Sequence, residues 1–133
     1  MLDRPALDDL LETVATFLRE KAVPALPARE AFEAKIAANA LELARREAAL
    51  GPDCEKLEQT RLEALLDRKG SLDDLNREFS DKLRDGSLNP QSPEITDHLW
   101  RTTLEKLRID QPRYSAYLRA IKVRAEKGDN DGL

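Results

Sequence analysis

Ala37-Ala38-Asn39-Ala40-Leu41 lies inside a strongly helix-forming run from Phe32 to Leu50, and its reading decides the fold. Phe32, Ile36, Ala40 and Leu43 recur at helical spacing and predict one buried face. Asn39 falls on that face, with Leu43 and Arg46 one and two turns on. A buried amide without a partner costs about 1–3 kcal/mol. Either the fold satisfies Asn39, or this face meets a partner.

Composition extends the helical reading to the whole chain. The 133 residues fit one domain with a modest core. Charged residues make up 36% and apolar ones 41%, with aromatics at only 5%, a balance that suits amphipathic helices rather than a sheet. No apolar run approaches the length of a membrane span. Met1-Leu2-Asp3-Arg4-Pro5 lacks the basic start and apolar core of a signal peptide, and Cys54 has no second cysteine to pair with. A soluble cytoplasmic protein of bacterial type is expected.

Punctuation along the chain predicts an all-α fold, a single-domain bundle of about six helices over residues 1–127, with 128–133 a disordered tail. The first helix runs from Pro5 to Val23, its stripe being Leu7, Leu10, Leu11, Val14 and Leu18, and Pro24-Ala25-Leu26-Pro27 forms a stiff elbow. The second runs from Pro27 to Leu50, with an alanine-rich face that lets a neighbour approach closely, and Gly51-Pro52 ends it. The third spans Asp53 to Arg68, turning Cys54, Leu57, Leu62, Leu65 and Leu66 inward, and Gly70 closes it.

Ser71 followed by Asp74 resembles a capping box and opens the fourth helix, striped by Leu72, Leu75, Phe79 and Leu83 and ending at Gly86. A polar loop from Asp85 to Gln91 is the expected mobile internal segment. Ser92-Pro93-Glu94 starts the fifth helix, which carries Ile95, Leu99, Trp100, Leu104 and Leu107 to Ile109-Asp110-Gln111-Pro112. The sixth displays Tyr114, Tyr117, Leu118, Ile121 and Ala125.

Net charge is −4 and unevenly spread: residues 98–127 hold 8 basic and 3 acidic side chains, whereas residues 1–97 hold 14 basic and 21 acidic ones. The basic third is either a solvated face or a receiver of phosphates or of an acidic surface. Catalytic and cofactor motifs are missing. His98 is the only histidine and reads as a surface or boundary residue; no zinc ligand set, glycine-rich phosphate loop, nucleophile elbow or dinucleotide fingerprint occurs. No cofactor and no metal are expected, and neither is nucleic acid or membrane as a partner.

Three polar features remain. Asn39 and Arg46 share a helix face, and Arg46-Glu47 can pair with another helix; they form either an internal clasp that fixes register or part of a partner surface. In Asp110-Gln111-Pro112-Arg113-Tyr114-Ser115, Asp110 or Gln111 can cap the sixth helix, Pro112 can fix its first turn, and Tyr114 can bury its ring. The Pro24/Pro27 elbow sets the angle between the first two helices.

Asp3-Arg4-Pro5, Leu26-Pro27, Ala38-Asn39-Ala40-Leu41, Arg46-Glu47 and Asp110-Gln111-Pro112-Arg113-Tyr114-Ser115, in that order, resemble a bacterial family of small helical proteins known as a domain of unknown function. Members of that family are encoded beside an aminoglycoside-phosphotransferase-like kinase and an acyl-CoA dehydrogenase-like enzyme. One branch is similar to the small accessory subunit of a levulinate-catabolism kinase that phosphorylates 4-hydroxyacyl-CoA esters. The resemblance implies a non-catalytic helper of such a kinase, with Asn39, Arg46, Glu47, Arg113 and Tyr114 as its partner-binding residues or polar clasp. Two other readings stand beside it: a small bundle that binds acyl-CoA or another small molecule, and a homodimeric structural module.

Overall fold

In the computed structural model, which describes residues 5–128, the fold is all-α. Asp3 and Arg4 of the first motif and residues 129–133 of the expected tail lie outside the described residues. Among the described residues five main helices follow one another: α1 (Leu7–Phe17), α2 (Ala28–Leu66), α3 (Leu72–Arg84), α4 (Pro93–Asp110) and α5 (Ser115–Glu126). No helix among the described residues is long and apolar enough to cross a membrane.

Proline placement explains the first departure from expectation. α1 passes directly into a π-helical turn, Leu18–Ala22, and a short helical turn, Val23–Ala25, so Pro24 sits inside helical backbone. A proline in a regular α-helix clashes with the carbonyl four residues back. Here the preceding turn is widened, with the Val23 N–H donating to Leu18 O, which relieves that clash. The break falls at Leu26 and Pro27, and the extended backbone of Leu26 (φ −96°, ψ 152°) is what a residue before proline prefers.

Gly51-Pro52 does not end a helix. The expected second and third helices are one 39-residue α2, with Pro52 in its interior. Proline forfeits a single backbone donor, and Gly51 before it brings no Cβ to crowd the ring. The flanking residues, helix-forming on both sides, outweigh that local penalty. α2 stops instead at Leu66, where Asp67 takes a left-handed conformation (φ 49°) and the Arg68 N–H returns to Glu63 O at 3.2 Å. This is a Schellman-type end with aspartate in the usual glycine position.

The chain divides into two compact units, Met1–Gly51 and Pro52–Leu133. In the first, the buried residues among those described are Ala15, Ala34, Ala38 and Gly51, all small. Cross-helix ion pairs accompany them: Arg45 binds Asp8 (Nη2–Oδ2 3.0 Å) and Glu12 (3.3 Å), and Arg19 binds Glu42 (3.3 Å). Of the large apolar side chains, Leu11, Leu18, Leu41 and Leu50 are half-buried and many of the rest point to solvent. Phe32, Ile36 and Leu43, expected to be buried, are exposed, as are Leu7, Leu10, Val14 and Phe17 on α1.

In the second unit, Leu62, Leu75, Phe79 and Ile95 form the core, with Leu65, Leu66, Leu72, Leu83 and Leu88 packed against it. The α3 cap is as expected: Ser71 Oγ accepts from the Asp74 N–H at 3.2 Å and donates to the Asp74 carboxylate at 2.8 Å. The Asp85–Gln91 loop is tied down locally. Asp85 accepts from the Ser87 N–H (2.8 Å), Asn89 from the Gln91 N–H (3.0 Å), and Leu88 anchors on the core.

Candidate functional site

On α2 of the first unit, the alanines that bury themselves sit nearly opposite Phe32, Ile36 and Leu43. Asn39 lies on the outward face with those three, so its expected burial is corrected: it is exposed. Its side-chain oxygen accepts from Arg19 Nη2 at 3.3 Å, beside the Arg19–Glu42 pair. Glu42 also lies 3.8 Å from Arg45, so one polar chain runs from Asp8 and Glu12 through Arg45, Glu42 and Arg19 to Asn39.

Arginine 45 carries that chain, rather than its neighbour Arg46, which is half-buried on another face. The Arg45 hydrogen bond holds the Asp8 carboxyl below the usual carboxylate range and raises the guanidinium in turn. Glu47 is exposed, with its carboxylate over Gly51 one turn on.

The second unit holds a buried polar cluster. Arg61 on α2 grips both carboxylate oxygens of Glu105 on α4, at 2.8 and 2.7 Å. Its other bonds reach Thr102 Oγ1 (3.2 Å) and His98 Nδ1 (3.4 Å). Glu105 is 5% exposed and His98 3%, so the expectation of a surface or boundary histidine is corrected. The His98 ring meets Phe79 edge to face, with centroids 5.0 Å apart and planes at 73°. Nearby, the Asn76 amide donates to the buried Glu58 carboxylate at 2.9 Å.

Burial, then the adjacent Arg61 charge, lowers the His98 pKa from its ordinary 6.5; Glu58, Glu105 and Asp97 oppose that shift. With Nδ1 accepting from Arg61, the neutral ring carries its proton on Nε2. The cluster joins α2, α3 and α4 through charge-assisted bonds. Among the described residues no group of three or more His, Cys, Asp and Glu side chains is arranged to hold a metal ion.

The α4–α5 corner departs from its expected chemistry. Tyr114, not Asp110 or Gln111, takes the N-cap position of α5, without a side-chain cap bond. Pro112 lies in the preceding turn, where the Tyr114 N–H donates to Gln111 O at 3.0 Å. The Tyr114 ring is half exposed and Arg113 is exposed; the buried phenol is Tyr117, one turn further. Backbone turn geometry satisfies the helix start, so neither polar side chain is drawn into capping.

A family model described as a domain of unknown function (DUF6285) matches residues 24–114. The chain belongs to this family. The matched region takes in the outward face of α2, the Arg61–Glu105 cluster and the turn ending at Tyr114. No curated protein and no solved structure matches the chain significantly.

Proposed function

We propose that this DUF6285 protein is a non-catalytic accessory protein of bacterial cytoplasm that docks onto an aminoglycoside-phosphotransferase-like kinase. The kinase would act on hydroxyacyl-CoA in the catabolism of short-chain hydroxy and keto acids. One observation carries the docking part. The helices of the first unit bury alanines and leave Leu7, Leu10, Val14 and Phe17, and Phe32, Ile36 and Leu43, in solvent, with Phe32 63% exposed. Apolar stripes of this kind on a soluble chain are interaction surfaces. Asn39, on the same face as Phe32 and Ile36, supplies a polar group beside them. The choice of kinase rests on the motif resemblance.

Co-expression of the full chain with the kinase tests the proposal. The two should co-elute on size exclusion, and Phe17→Glu or Phe32→Glu should abolish co-elution while leaving the far-UV circular dichroism unchanged. Failure to co-elute at tens of micromolar of each overturns the proposal. A stable dimer of the chain alone, broken by the same two substitutions, assigns the surface to a second copy instead.

A further inference from the structure

Between α4 and α5 an open groove of about 420 Å³ is lined by Trp100, Leu104, Arg119, Ala120, Val123, Arg124 and Lys127. That is the size of a small-ligand site, for which about 300–1,000 Å³ is usual. Its floor is apolar, with Leu104 wholly buried and Trp100 53% exposed at one wall. All three charged residues of the lining are cations. Arg124 lies 3.5 Å from Asp97, whereas no acidic side chain among the described residues pairs with Arg119 or Lys127. The macrodipole accounts for cations in the last turn of α5 but not for Arg119 in its first half. Nor does it account for an indole left open beside them.

We propose that this groove binds a medium-chain carboxylate: the alkyl chain on Trp100, Leu104 and Val123, the carboxylate toward Arg119 and Lys127. An apolar wall with a cationic rim is complementary to such an amphiphile, since the rim selects the charge and the floor gains from covering the chain. The inference does not rest on the kinase partnership.

Trp100 is the sole tryptophan, so its emission reports on the groove directly. The full chain is titrated with decanoate below its micellar range, and in parallel with decanol, decyl phosphate and acetate. Decanoate should change Trp100 emission saturably, at least tenfold more tightly than decanol, with acetate silent. Arg119→Gln with Lys127→Gln should weaken decanoate at least tenfold, and Ala120→Phe, which fills the groove, should abolish the response. The glutamine substitutions lie at exposed positions, so they test the charge even if Ala120→Phe unfolds the helix. Equal responses to decanoate and decanol overturn the proposal, as does a response untouched by the glutamine pair. Tighter binding of decyl phosphate than of decanoate overturns the carboxylate assignment.

Discussion

Arg61 and Glu105 meet fork to fork, at 2.8 and 2.7 Å, in a position where the carboxylate has almost no solvent to fall back on. Removing one member strands the other, which costs about 3–5 kcal/mol, whereas replacing both with apolar side chains of similar volume is near neutral. Arg61→Met or Glu105→Leu alone should lower the melting temperature of this unit by ten degrees or more, and the double substitution should recover most of the loss. Trp100 on the same helix provides the fluorescence readout. Additive losses in the double variant would show that the pair is not coupled.

His98 makes stability pH-dependent in a defined window. Its folded pKa is lowered, so below 6.5 the unfolded chain binds a proton that the folded chain declines. The contribution is complete above 6.5 and is lost as pH falls from there through the folded value. Asp8, Glu63, Glu78 and Asp85 have carboxyls lowered from 3.8 or 4.5, so their contributions fade only in stronger acid. Denaturant midpoints measured from pH 7.5 to 5.5 should fall in the native chain. In His98→Asn, which keeps an acceptor for Arg61, they should stay nearly level.

Asn39→Ala removes one exposed 3.3 Å contact with Arg19 and should change stability by no more than about 0.5 kcal/mol. Arg45→Gln breaks the links to Asp8 and Glu12 together and should loosen the first unit more. Amide exchange over residues 7–45 in the two variants ranks them; equal effects would show that the polar chain does not pass through Arg45.

Pro52→Ala should stabilise the chain. It restores an N–H for Ala48 O in the middle of α2 and removes the ring clash, a gain of up to about 3 kcal/mol. Greater freedom in the unfolded chain offsets about 0.4–1 kcal/mol of this. A melting temperature several degrees higher is expected, and a lower one would mean that the proline itself makes contacts the fold needs.

Local signals were the legible ones. The Ser71–Asp74 cap, the start at Pro93 and the Leu72-Leu75-Phe79 stripe all read correctly because each depends on residues within one or two turns. Inward faces were misread where polar or small residues fill them. The inner side of α4 runs Ile95, His98, Thr102, Glu105, Ile109, and its three polar members are satisfied by Arg61, some 40 positions away in sequence. The regular spacing of those polar residues between Ile95 and Ile109 was the available clue. On α2 the same logic is reversed: Ala34 and Ala38 are buried while Phe32 and Ile36 are not, and no hydrophobicity pattern distinguishes an apolar stripe left in solvent from one kept for the core.

Among the described residues of the first unit only small ones are buried, which bears on how well the unit resists proteolysis. Its cohesion comes from alanines, half-buried leucines (Leu11, Leu18, Leu41 and Leu50) and partly exposed ion pairs, the last of which salt screens. Such a unit opens locally more readily than one built on Leu62, Leu75 and Phe79. Opening would bare α1 and the first half of α2 to proteases, and a partner docked on the apolar stripes, as proposed above, would suppress it by mass action. On the docking proposed above, copies made in excess of that partner would be cleared first, so turnover alone would hold the two in balance.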